Sequence, residues 1–356
     1  MDRRLFLGAA SSFAIAGNAQ AQFGFGREPA GLVAVAISSR EDGLSQAATL
    51  FTRSQRTVVA SGSRIIAPFL ALEIVEEVGR TVRERQYRGG AQATTKFTVE
   101  GLDDAAIQGV VDRLYPQILT GFSAAGYSVM TREEARANGE FVKLIAAEKP
   151  AMFRSNTSGG GKSKFFAPTG MGPYFTPGDE RFGTFSALGM SPGQIMAEQN
   201  APNQINATLM GIEIGVRFVN VATEGGGQYS NLFGTGVASV RGKSVMSLDP
   251  ARTRIWFKTP QIREARNFLS LNKPVGPRDN PITAFEDITS NASKMGDIAG
   301  TLIGALAGGG PSYQTRAYRI ALDPVAFPVA LEGCLVGVSA AMISQIGVAS
   351  VVAGRR

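Results

Sequence analysis

N-A-T-L-M-G-I-E-I-G-V-R-F-V-N-V-A-T, residues 206–223, alternates with a period of two. Met210, Ile212, Ile214, Val216 and Phe218 fall on one face, and Glu213, Gly215 and Arg217 on the other. A strand turns successive side chains to opposite faces, so the alternation predicts a strand with one covered face. At roughly 3.3 Å per residue the stretch extends about 60 Å, beyond an ordinary strand. Gly225-Gly226-Gly227 ends it, and Val237 to Leu248 alternates again, with Arg241 and Lys243 opposite Val240 and Gly242. Asp249-Pro250 reads as a turn and Arg254 to Phe257 as a further strand. The product is a long antiparallel hairpin. Its apolar face meets either the protein's own helices or lipid, and the helices are the expectation.

Upstream, Leu32 to Ile37 reads as a buried strand and residues 41–55 as a short helix. Arg64 to Val78 suits either element: Pro68 and the glutamates could open a helix. Ile65, Ile66, Phe69, Leu70, Leu72, Ile74 and Val75 also suit a strand covered on both faces. Arg88-Gly89-Gly90-Ala91 is a turn signal that favours the strand, with residues 94–99 returning. Asp103 to Ala125 is the clearest helix. Asp103 can cap its first amides, and Ile107, Val110, Val111, Leu114, Ile118, Leu119 and Phe122 form one stripe. Pro116 can kink it, and Gly126 stops it. Residues 127–130 then read as a strand and 132–147 as a helix.

Residues 155–203 are rich in Gly, Pro, Ser and Asn, with aromatics at Phe165, Phe166, Tyr174, Phe175, Phe182 and Phe185. This predicts a loop insert interrupted by a short helix near Pro192 to Gln199. Phe285 to Leu306 reads as a helix and Tyr313 to Leu322 as a strand. Asp323-Pro324 starts a last helix, and only Glu332 is charged between Val325 and Val352. That helix is long enough to span a bilayer. Its serines and glycines favour a buried helix packed closely through small residues. The fold expectation is α+β: a mixed sheet, helices packed on one face and a long antiparallel hairpin, in a single domain at 31–352.

The chain has 356 residues, 36 Lys plus Arg, 29 Asp plus Glu and no His, giving a charge of +7. Apolar residues make up 44% and charged residues 18%, a globular composition. Without histidine there is no Ser-His-Asp triad, Cys-His pair or His-held metal. With Cys334 alone there is no iron–sulfur cluster, Cys-rich zinc site or intrachain disulfide.

Residues 1–21 read as an export signal. Arg3 and Arg4 precede Phe6 and Leu7, a weakly apolar run to Ala16 follows, and Ala19 and Ala21 form an A-x-A cleavage site. The R-R-x-F-L order is that of a twin-arginine signal; a general secretory signal would have the same parts. Cleavage after Ala21 leaves 335 residues with a charge of +6 and a Gly/Phe linker at 22–30. A lone cysteine suits the oxidising periplasm or cell surface. The scattered basic charge permits contact with anionic surfaces, but a soluble surface is favoured and no nucleic-acid partner is indicated.

Ser158 to Ser163 imitates a phosphate loop, but Asn156 stands where its first glycine belongs. A mobile glycine loop is the reading. The acid pairs Asp103-Asp104, Glu133-Glu134 and Glu286-Asp287 sit at expected helix starts, where the dipole stabilises them. Cys334, in an apolar helix, is expected to be inert. No catalytic residue, cofactor or metal site is assigned.

The stretch L-D-D-A-A-I-Q-G-V-V-D-R-L-Y-P-Q-I-L-T-G-F-S-A-A-G-Y-S-V-M-T-R-E-E-A, from Leu102, is similar to the helix–strand core of the CsgG-type curli-secretion-channel family. It also resembles the amino-terminal domain of TolB-like proteins. The resemblance covers residues 102–147. CsgG-type proteins also carry extended hairpins that can join a barrel. The resemblance implies an envelope scaffold or secretion-assembly component without enzymatic activity. Ala21-Gln22 stands where the family's lipoproteins carry a lipidated cysteine, which argues against that anchor. The expected function is therefore a non-catalytic structural or assembly role in the periplasm or at the cell surface, with a protein partner or homo-oligomer. The alternatives are an oligomeric, membrane-inserting channel component, and a carboxylate-based hydrolase or carbohydrate-binding module using the 165–185 aromatics.

Overall fold

The computed structural model describes residues 34–53, 59–86, 89–150, 152–157, 161–174, 192–225, 238–260, 267–297 and 312–346. The export signal and linker lie outside them. In chain order the elements are β1 (Val35–Ala36), α1 (Arg40–Leu50), β2 (Phe51–Arg53), β3 (Arg64–Gln86), β4 (Gly89–Glu100), α2 (Asp104–Ala124), β5 (Ser128–Val129), α3 (Arg132–Ala135), α4 (Gly139–Ala146), β6 (Met152–Thr157) and β7 (Gly161–Phe166). There follow α5 (Pro192–Ile205), β8 (Thr208–Gly225), β9 (Ala238–Leu248), β10 (Arg254–Lys258), β11 (Asn267–Leu271), β12 (Val275–Gly276), β13 (Ile282–Asp287), a helix α6 described over 291–297, β14 (Ser312–Leu322) and α7 (Ala326–Ile346).

The fourteen strands of the described residues all join one mixed sheet, so the chain is α+β. Its spine runs β1-β12-β9-β8-β3-β4-β14-β13. β3 and β8 lie parallel at the centre, each folded back on an antiparallel neighbour, β4 and β9. The sheet thus holds two long hairpins side by side, of which the 206–257 pattern is one. The other is closed between Gln86 and Gly89, which face each other. Gly89 and Gly90 therefore lie in the strand, and the connection is 87–88, outside the described residues.

The main helical layer is α1, α2 and α7 on one face. α2 begins where the Asp103 carboxylate accepts the amides of Ala105 and Ala106, at 2.9 and 3.2 Å. It ends before Gly126, whose φ of +88° costs a glycine little. Ile107, Val110, Val111, Leu114, Ile118 and Phe122 are all buried. Opposite them, Met210, Ile212, Ile214, Val216 and Phe218 are each at most 2% exposed in the same cluster, and Phe218 meets Phe327 of α7 at 5.5 Å. Burying each such side chain contributes about 1.5–3 kcal/mol. α7 has the length and apolarity of a membrane span, yet here it packs on α1 and α2. The packing is close: a Cβ on Gly43 of α1 would lie 1.9 Å from the Gly337 carbonyl oxygen of α7. A second, smaller cluster covers one end of the reverse face, where α4 and α5 bury Phe69, Tyr174 and Trp256.

Four expectations need correction. Residues 155–203 are not one loop. β6 and β7 form a hairpin that pairs with β3, and α5 spans Pro192–Ile205; 175–191, with Phe175, Phe182 and Phe185, lie outside the described residues. Gly161, Lys162 and Ser163 thus belong to a strand rather than to a glycine loop. Phe285 to Leu306 is not one helix. Phe285, Glu286 and Asp287 end β13, because Phe285 pairs with Ile320 and stacks on Tyr318 at 5.1 Å; helix begins at 291 and is described to 297, and 298–311 lie outside the described residues. Residues 132–147 are two helices, because the Asn138 side chain accepts the amides of Glu140 and Phe141 and restarts the turn. The helix expected at 41–55 stops at Leu50, where the chain enters β2 and pairs with β11.

Candidate functional site

The reverse face of β3 and β8 carries the chemistry. Register sets Ala71 beside Glu213 and Glu73 beside Gly215. β9 and β10 are both antiparallel to β8 and would form one strand but for residues 249–253, which loop out over Gly215. The loop is tied down at both ends. The Asp249 amide donates to the Gly215 carbonyl at 2.8 Å, and the Gly215 amide donates to Thr253 Oγ1 at 3.2 Å. A Cβ on Gly215 would come within 2.5 Å of Arg252 Cβ, so the missing side chain makes the crossing possible.

The loop brings arginines to buried acids. Glu73, Glu213 and Asp249 are 1%, 2% and 4% exposed. Arg252 pairs with Glu73 and sets its Nε 3.3 Å from Asp249. Arg217 reaches Asp249 at 2.5 Å. Arg254 pairs with Glu213 at 2.7 Å and lies 4.9 Å over the Phe268 ring. Burying a carboxylate without a partner costs several kcal/mol, so each acid is matched by a guanidinium. Burial holds Arg217 below its ordinary pKa; Asp249 opposes that, while the neighbouring Arg252 and Arg80 add to it.

Here the sheet also forks. β3 pairs with β8 as far as Ile74 and Val216; beyond that β3 pairs with β4 and β8 with β9. A cleft of about 80 Å³ opens in the crotch, lined by Glu77, Arg80, Gly161, Arg217, Val219 and Arg252 among others. Glu77 is held by Lys96 at 2.9 Å and Lys162 at 3.6 Å.

A separate cluster lies at the start of α2. Lys164 is 6% exposed and bridges Asp104 at 2.8 Å and Glu76 at 2.9 Å. Burial alone would lower its pKa; the bonds to the two carboxylates outweigh it and raise the value. This pins the β6–β7 hairpin to α2.

The residues singled out from sequence are scattered. Met210 to Phe218 line the core. Phe165, Phe166 and Tyr174 are buried rather than presented to a partner. Of the acid pairs, Asp103 and Asp104 begin α2, and Glu133 and Glu134 lie in the first turn of α3, where Thr131 and Glu134 form a capping box. Glu286 and Asp287 stand in a strand instead of a helix start; Glu286 pairs with Arg319, and Asp287 accepts the Thr289 amide at 2.8 Å. Cys334 donates to the Ile37 carbonyl at 2.9 Å, and burial pushes its pKa up to about 12. Arg3, Arg4, Phe6, Leu7, Ala19 and Ala21 lie outside the described residues.

Sequence reasoning placed Glu213 and Arg217 on the polar face of β8 but did not unite them with Glu73, Asp249, Arg252 and Arg254. The signal available was Asp249-x-x-Arg252-x-Arg254 at the end of an alternating strand. The arrangement can clamp strands and present guanidinium groups. Every buried acid in it is already engaged by an arginine, so it does not offer a carboxylate for proton transfer. The chain matches no family model, no curated protein and no solved structure.

Proposed function

We propose that this chain is an exported envelope protein with a structural or assembly role, in the periplasm or at the cell surface, and that its two long hairpins are the arms by which it engages a protein partner or further copies of itself. The observation that carries the reading is the pair of hairpins, β3–β4 and β8–β9, set side by side in one sheet. β4 and β9 pack mainly against other strands, so the helical layer does not account for their length. The signal-like residues 1–21 and the similarity of residues 102–147 to CsgG-type envelope proteins support the same reading.

A membrane-inserting oligomer competes with it. Beyond the fork each of the four strands has nine or ten paired or spanning residues, about what a bilayer crossing needs. A lipid-facing strand needs an unbroken apolar face. β3–β4 places Arg80 on one face and Glu77 and Lys96 on the other, and β8 buries its best apolar face under α7. These observations favour the soluble arm.

The test is fractionation of the native host with blotting for the chain, then size-exclusion light scattering. Release from the envelope without detergent, in a complex or oligomer of defined mass, is the expected result. Retention in the cytoplasm overturns the exported role. A detergent-dependent ring overturns the soluble arm in favour of insertion.

A further inference from the structure

The cleft at the fork holds more positive charge than its structure needs. Arg252 is committed to Glu73 and Arg217 to Asp249. Arg80, exposed on β3, has no acid partner among the described residues, and it acts on Arg217 as a like charge. Lys96 and Lys162 together face the single carboxylate of Glu77. Three guanidinium groups therefore line the cleft beside Glu77, which two lysines already engage from outside it, and the acids paired with two of the three, Glu73 and Asp249, are buried behind them rather than open to the cleft. Like charges brought together cost free energy unless something offsets them.

The shape restricts what that can be. A volume of about 80 Å³ has room for roughly six waters, enough for a tetrahedral oxyanion and too little for a nucleotide or a sugar ring. Guanidinium groups suit such a ligand, because their planar forks give paired, charge-assisted hydrogen bonds to two oxygens at once. Gly161, at the rim, adds no side chain to obstruct it. The two hairpins part at this point, so a bound anion would bridge the arms.

We propose that the cleft binds a single oxyanion of the phosphate class, held by Arg80, Arg217 and Arg252. This goes beyond the envelope role and does not depend on where the protein resides. The phosphate can be free or the headgroup of an anionic lipid.

The test is calorimetric titration of the purified full chain with inorganic phosphate at constant ionic strength, and in parallel sedimentation with phosphatidylglycerol or phosphatidylcholine vesicles. One saturable phosphate site per chain is expected. Arg80→Gln, on an exposed side chain, weakens it by roughly tenfold, the effect of one lost charge-assisted hydrogen bond. Arg217→Lys keeps a charge beside Asp249 but loses the planar fork, and weakens it similarly. Arg113→Gln, on α2 in a surface pair with Glu332 of α7, leaves it unchanged. Binding to phosphatidylglycerol vesicles alone, lost in Arg80→Gln, identifies the lipid source. Absence of both kinds of binding, or binding indifferent to Arg80→Gln and Arg217→Lys, overturns the proposal.

Discussion

Arg252 reaches Glu73 by crossing the bare flank of Gly215, the residue that β8 places directly beside Glu73. Gly215→Ala puts a methyl group against Arg252 and lifts the 249–253 loop, at a cost of about 1–3 kcal/mol. Arg252→Met removes the arginine partner of a carboxylate that is 1% exposed, and costs about 3–5 kcal/mol. The double variant Glu73→Leu, Arg252→Met recovers most of that loss, because both charges of the pair are removed together. Urea midpoints of the three variants check this. A double variant no more stable than Arg252→Met would show that the pair does more than neutralise itself.

The crossing of α1 and α7 leaves no room at Gly337, where a Cβ would lie 2.3 Å from Ile37 Cγ2 and 2.4 Å from the Ser39 carbonyl oxygen. The backbone atom cannot swing aside, so Gly337→Ala forces the helix away from α1. Cys334, one turn earlier, reads out the crossing. With a pKa of about 12, its thiolate fraction near pH 8 is on the order of 10⁻⁴, so alkylation runs roughly a thousandfold slower than for a free cysteine. Labelling kinetics should show native protection in the parent chain and its loss in Gly337→Ala. Fast labelling of the parent would contradict the packing described.

Asp112 of α2 holds the segment after β7. It accepts from the Thr169 amide at 2.7 Å and the Thr169 hydroxyl at 2.8 Å, and also from Gln108. Burial would raise its pKa, but these hydrogen bonds outweigh it and hold the value below 3.8. A depressed carboxyl stabilises the fold above its unfolded pKa, and that contribution is lost as pH falls through the folded value. Hydrogen exchange at the Thr169 amide should therefore accelerate as pH drops below about 4, after correction for intrinsic rates. Asp112→Asn should show fast exchange already at neutral pH. A pH profile identical in both proteins would remove Asp112 as the tether.

Trp256, the chain's one tryptophan, is 1% exposed between Phe69 and Tyr174, at 6.0 and 6.1 Å. Its emission reports the smaller core alone. Tyr174→Phe loses the 3.1 Å bond to Glu198 and lowers stability by about 1.5–3 kcal/mol, the range for bonds to charged groups. The folded emission should stay blue of free tryptophan and resist iodide quenching, while the urea midpoint falls. Quenching of the folded parent would show that this core is open to solvent.

The parts of the fold visible in the sequence are those whose pattern is local. The 206–223 alternation and the stripe of Ile107 to Phe122 each report a buried face without reference to a partner. The β6–β7 hairpin was hidden because its partners are remote. Ser163 and Lys164 read as loop residues, and only β3 and the Asp104 carboxylate make them strand and core. Phe285 was misread for the same reason, since its place is decided by Ile320 and Tyr318. The charged site was half visible. Period-2 alternation marks Glu213 and Arg217 as polar, which ordinarily means solvent; nothing local says that the distant 249–253 loop will cover them.

β3 gains its central neighbour late. Ile65 to Ile74 pair with β8 residues 208–216, while the return arm β4 and the helix α2 follow β3 directly in the chain. As the chain is synthesised, the first hairpin and α2 are complete while the strand that closes the sheet beside them is still unmade. The flank of β3 then stands open, with Phe69, Leu70 and Leu72 along it. Pairings of such sequence separation form slowly and expose the chain to aggregation meanwhile. The order of synthesis thus leaves this flank of β3 uncovered until residues as far as Val216 have been made and have left the ribosome.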